Sequence, residues 1–64
     1  MTIFKSGENL KVGNSLLYWY TPTPIIRIGA RFLHKSINRY CRVAYFAERP
    51  AMTIIEDDIY KINV

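Results

Sequence analysis

Two segments of the chain alternate with a period of two, the signature of strands half-buried against a core. Ile26, Ile28, Ala30 and Phe32 alternate with Arg27, Gly29, Arg31 and Leu33. After a polar loop over 34–38, Cys41, Val43 and Tyr45 alternate with Arg42, Ala44 and Phe46. Residues 15–20 read Ser-Leu-Leu-Tyr-Trp-Tyr, an aromatic density that favours a strand. Thr21-Pro22-Thr23-Pro24 is expected to end it, because proline lacks a backbone donor and restricts the residue before it. Ser6-Gly7-Glu8-Asn9, Gly13-Asn14 and residues 47–51 read as turns or loops. Met52-Thr53-Ile54-Ile55 reads as a strand and Glu56-Asp57-Asp58 as a polar turn, with Asp57 or Asp58 capping a short helical turn at Ile59-Tyr60. Residues 61–64 would close the chain as a short strand.

A second period competes over the middle. Ile26, Ala30, Leu33, Ile37 and Tyr40 recur at spacings of four, three, four and three, which is one face of a helix. Thr23 would be its N-cap and Pro24 its first residue. The alternative fold is therefore α+β, with an amphipathic helix over about 24–42 packed on a small antiparallel sheet. Two facts favour strands. Gly29 costs a helix about 1 kcal/mol against alanine, and Ile25, Ile26, Ile28, Tyr40, Val43, Tyr45 and Phe46 all prefer strands.

The order of parts resembles a Src-homology-3-like barrel. Lys11-Val12-Gly13-Asn14 stands at the opening of the first barrel strand, a Pro-bearing loop follows, and Arg27-Ile28-Gly29 lies in the next strand. Then come Tyr40 to Phe46, Met52 to Ile55, and Asp58-Ile59-Tyr60-Lys61-Ile62. The resemblance implies a mainly β chain forming a small, strongly bent, five-stranded barrel: one domain over 1–64, with the barrel core at about 10–62 and an N-terminal arm over 1–9. Within that class, Tyr40, Pro50, Ile54 and Ile62-Asn63 fall in an order similar to the plasmid-borne type II dihydrofolate reductases. Those enzymes line a four-subunit pore with Val-Gln-Ile-Tyr, where this chain has Met52-Thr53-Ile54-Ile55. Without that glutamine and tyrosine, reductase chemistry is not expected, but the resemblance implies that such a barrel works as an oligomer.

Composition adds a need for partners. Half of the 64 residues are hydrophobic and nine are aromatic. A domain of about 60 residues buries only roughly 60% of its unfolded surface, so some of these residues should meet another chain. Both parities of 16–20 are apolar, which marks Tyr18, Trp19 and Tyr20, together with Phe46, as expected interface residues. The single cysteine, Cys41, excludes an internal disulfide and suits a reducing compartment. No apolar run approaches the roughly 20 residues a membrane helix needs, and the N-terminus lacks the pattern of a signal peptide. A cytoplasmic protein is expected, of a kind that suits a phage or mobile element.

Candidate chemistry is sparse. His34 and Cys41 could form a base–thiol pair, and the acids at 56–58 a carboxylate metal site; a loop histidine, a buried thiol and a solvated turn explain them more simply. No glycine-rich phosphate loop is present. The expectation is no enzyme, no metal and no cofactor. Net charge is +4, and Arg27, Arg31, Lys35, Arg39 and Arg42 cluster beside aromatic residues, as a nucleic-acid surface needs. Alternatively, these cations solubilise an apolar surface or pair with the acidic segment of a neighbouring subunit. The leading expectation is a small interaction module, a homo-oligomer or accessory subunit that binds a protein partner. A nucleic-acid-binding barrel is the alternative.

Overall fold

Seven antiparallel strands account for most of the chain in a computed structural model that describes residues 1–18 and 20–64. They are β1 (Thr2–Ser6), β2 (Ser15–Tyr18), β3 (Thr21–Ile28), β4 (Phe32–His34), β5 (Arg39–Phe46), β6 (Arg49–Ile55) and β7 (Ile59–Asn63). A 3-10 turn, Gly7–Asn9, follows β1. The sheet runs β1-β7-β2-β3-β5-β4, and β6 lies on the other edge of β5. The ladders leave β1 and β6 unpaired with each other, so the sheet is not closed. No helix among the described residues is long and apolar enough to cross a membrane.

β3 joins the two halves of the sheet. Its first half, Thr21 to Pro24, pairs with β2, and its second half, Ile25 to Ile28, pairs with β5. The prolines explain the division. Ile25 exchanges both backbone hydrogen bonds with the Gly13–Asn14 segment on the β2 side. Pro22 and Pro24, at the opposite parity, direct their missing N–H toward the edge that has no partner, where proline is tolerated. Thr21-Pro22-Thr23-Pro24 thus continues as a strand instead of ending one. The register slips between Ile25 and Arg27, a bulge that bends the strand where it changes partner.

The helix considered over 24–42 does not form. Thr23 Oγ1 donates to the Thr21 carbonyl at 3.0 Å instead of capping a helix, and the β-branched residues of 25–28 sit in the ladder to β5. β4 continues along the same edge of β5 after an interruption at 29–31. Where five strands were expected there are seven, because the 29–31 break splits one and 2–6 adds another. The expected N-terminal arm is β1, paired over five positions with β7. Ile59-Tyr60, expected as a helical turn, opens β7.

Leu10, Leu16, Ile25, Ala44, Phe46, Ile54 and Ile62 form the core, and Ile3, Tyr18, Ile28, Met52 and Tyr60 pack against it. Ile3, Ile62, Leu16 and Thr23 make one inward row across β1, β7, β2 and β3. Tyr60 also protects the edge of β6: the Ile55 N–H donates to its hydroxyl oxygen at 2.9 Å. Burial pushes the Tyr60 phenol above its ordinary value of 10.0, against the Ile55 hydrogen bond, and the charges of Asp58 and Cys41 act in the same direction as burial. A raised folded-state pKa means stability is kept below the unfolded value and lost as pH rises through the folded one. Urea unfolding should show stability falling above about pH 10, with a shallower fall in Tyr60→Phe. Equal slopes in the two proteins would disprove this.

Candidate functional site

The arginines predicted to meet phosphate are mostly engaged within the chain. Arg31 lies 3.7 Å over the Tyr40 ring, and its Nε meets both carboxylate oxygens of Glu56 at 3.0 and 3.1 Å. Arg39 Nη1 pairs with Asp58 Oδ1 at 3.2 Å. Arg42 Nη2 donates to the Gly7 carbonyl at 2.6 Å and the Glu8 carbonyl at 2.9 Å. Arg27 stacks 4.1 Å over Tyr45. Lys35 is exposed in the β4–β5 turn. The acidic segment at 56–58, weighed as a partner for the cations of a neighbouring subunit, closes on Arg31 and Arg39 of its own chain through Glu56 and Asp58.

The other sequence candidates separate similarly. The Cys41 thiol is buried and donates to the Arg39 carbonyl at 3.6 Å, while His34 Nδ1 has no hydrogen-bond partner. Phe46 is only 6% exposed and meets Tyr18 edge-to-face at 5.4 Å, so it serves the core and not a surface. Tyr18 is half-buried beneath Arg49, 5.3 Å from its ring. Trp19 lies outside the described residues. Tyr20 is 94% exposed, with φ at 65°. A bulky side chain in the left-handed region is uncommon and costs backbone energy. This ring gains almost no burial in return.

Tyr20, one of the expected interface residues, belongs to a surface whose other members the sequence did not single out. Alternate residues of β1, β7, β2 and β3 face away from the core. One outward row is Phe4 opposite Lys61 and Leu17 opposite Pro22. The β2–β7 register, continued by one residue, puts Leu17 beside Lys61. Ile59, opposite Ser6, extends the apolar area. Phe4 and Ile59 are each 63% exposed. Thr2, Leu17, Tyr20 and Lys61 line a shallow concavity of about 390 Å³. The Lys61 ammonium lies 5.9 Å from the centre of the Phe4 ring. The signal that could have found this face was Ile3 and Ile62 at strand parity with exposed neighbours, but it required reading 2–6 as a strand.

No family model, curated protein or solved structure matches the chain.

Proposed function

We propose that this chain is a small non-enzymatic interaction module, working as a homo-oligomer or an accessory subunit, that binds protein through the outer face of β1, β7, β2 and β3. The observation that carries the reading is Tyr20: almost fully exposed, held at positive φ, and set beside a concavity in an apolar sheet face. Large aromatic residues at such positions are typical anchors of protein interfaces, and exposed apolar patches of this kind mark contact sites. The bent, two-part antiparallel sheet, with a strand that passes from one half to the other, supports a Src-homology-3-like small barrel as its fold type. A cytoplasmic setting suits the buried free thiol.

Nucleic-acid binding ranks second, because Arg31, Arg39 and Arg42 already hold partners in the chain. A photo-crosslinking residue at position 20, and in a separate variant at Ser36, exposed in the β4–β5 turn of the sheet's other half, tests the ordering. Irradiation in cells should give protein adducts from position 20, to a second copy or a different chain, and few from position 36. Equal yields from both positions, or salt-sensitive adducts to nucleic acid from position 20, would overturn it.

A further inference from the structure

The outer face of β1, β7, β2 and the Thr21–Pro24 half of β3 carries one charged side chain, Lys61, and it sits among apolar neighbours. Phe4 flanks it on one strand and Leu17 on the other. Among the described residues the ion pairs are Arg31–Glu56 and Arg39–Asp58, and Lys61 takes part in neither. All five acidic side chains lie elsewhere, in the 3-10 turn, the β5–β6 turn and the β6–β7 turn. A lone cation in a carboxylate-free apolar face is an electrostatic complement waiting for an anion from another molecule.

We propose that this face recognises an extended acidic peptide segment of a partner protein, in which an apolar side chain neighbours an aspartate or glutamate. The apolar side chain enters the concavity between Leu17 and Tyr20, and the carboxylate pairs with the Lys61 ammonium. The proposal rests on the interaction-module reading and gives its partner a chemistry. The volume of about 390 Å³ suits one large side chain, not a folded domain. A second copy of this chain is disfavoured by charge: a two-fold contact centred on the cavity would bring two Lys61 ammonium groups toward one axis. Phosphate backbones are disfavoured as well, because they are held by several spaced cations, whereas Arg27 and Lys35 belong to strands and turns of the other half of the sheet.

The test uses the full chain labelled with ¹⁵N and two short peptides, acetyl-Gly-Phe-Glu-Gly-amide and its glutamine counterpart. The glutamate peptide should shift the amides of Thr2, Leu17, Tyr20 and Lys61. Lys61→Met, which keeps the aliphatic stem, should weaken its binding about three- to fivefold at low salt, the scale of an exposed ion pair. Tyr20→Gly, which relieves the positive φ and therefore folds, should remove the shifts. If both peptides bind equally, carboxylate recognition fails while the apolar interaction surface stands. If neither peptide binds and concentrated protein instead shifts these same amides by self-association, the face belongs to a second copy and the proposal is overturned. If neither peptide binds and position 20 gives no crosslink, both readings fall.

Discussion

Gly7→Ala should destabilise this protein by about 2–4 kcal/mol, at or beyond the usual range for overpacking. A Cβ at Gly7 would overlap the Ile55 carbonyl oxygen and stand 2.8 Å from both the Ile55 carbonyl carbon and Ile54 Cγ2. The first two obstacles are backbone, which cannot rotate away. The third is a core side chain. The position is tight because Gly7 is where the end of β1 meets the β6–β7 turn. Its N–H donates to the Asp58 carbonyl at 2.8 Å, and the Glu8 N–H donates to the Glu56 carbonyl at 3.2 Å. Two other glycines serve as internal standards. A Cβ at Gly13 meets nothing within 4 Å, but φ there is +96°, so alanine carries only the backbone penalty, about 1–2 kcal/mol. A Cβ at Gly29 comes no nearer than 3.7 Å, ordinary contact, and alanine should be tolerated. Domains of this length hold roughly 3–10 kcal/mol in total, so Gly7→Ala should leave much of the chain unfolded at 37 °C. Urea midpoints in the order Gly29→Ala, Gly13→Ala, Gly7→Ala are expected. A Gly7→Ala midpoint equal to that of Gly29→Ala would refute the close approach.

Strand periodicity was legible wherever a segment has one buried and one exposed face. Cys41 to Phe46 and Met52 to Ile55 lie in β5 and β6, and the turns at 6–9, 12–13 and 56–58 fall where Gly, Asn and Asp cluster. The prolines misled, because their effect depends on which edge of the strand is free. A sequence shows that Pro22 and Pro24 lack donors, but not that the donors would have pointed away from β2. The helical stripe from Ile26 to Tyr40 was a coincidence: its residues lie in turn on β3, the 29–31 break, β4, the β4–β5 turn and β5. β1 was missed because its apolar residues, Ile3 and Phe4, fall on opposite faces: one joins the core and one the exposed surface. That same alternation hid the candidate site, since Phe4 and Lys61 acquire meaning only once β1 and β7 are paired. Charge pairing was the least legible feature. Arg31–Glu56 and Arg39–Asp58 span 25 and 19 residues, and composition cannot distinguish them from pairs between subunits.

Arg42→Met should cost about 1.5–3 kcal/mol, the worth of hydrogen bonds from a charged donor, and should leave weak oligonucleotide binding unchanged. Arg42 shares its parity on β5 with the core residues Ala44 and Phe46, and its guanidinium donates to the carbonyls of Gly7 and Glu8. It therefore holds from β5 the same 3-10 turn that the β6–β7 turn holds from below. β1 and β6 form no ladder with each other, and this clip, together with the hydrogen bonds from Gly7 and Glu8 to the β6–β7 turn, joins those two ends of the open sheet. Methionine fills the aliphatic path but leaves two carbonyls without their donor. Lysine, with one compact ammonium in place of the fork, should fall between. Because Gly7 and Arg42 act on one contact, their effects should not add: the double variant should lose less than the sum of the singles, by 0.5 kcal/mol or more. A phosphate-binding Arg42 predicts the reverse pattern in the same measurements. Stability would change little in Arg42→Met, and salt-dependent oligonucleotide binding would weaken. Strict additivity with Gly7→Ala, together with a loss of such binding, would move Arg42 from the scaffold to the surface and return the nucleic-acid reading to first place.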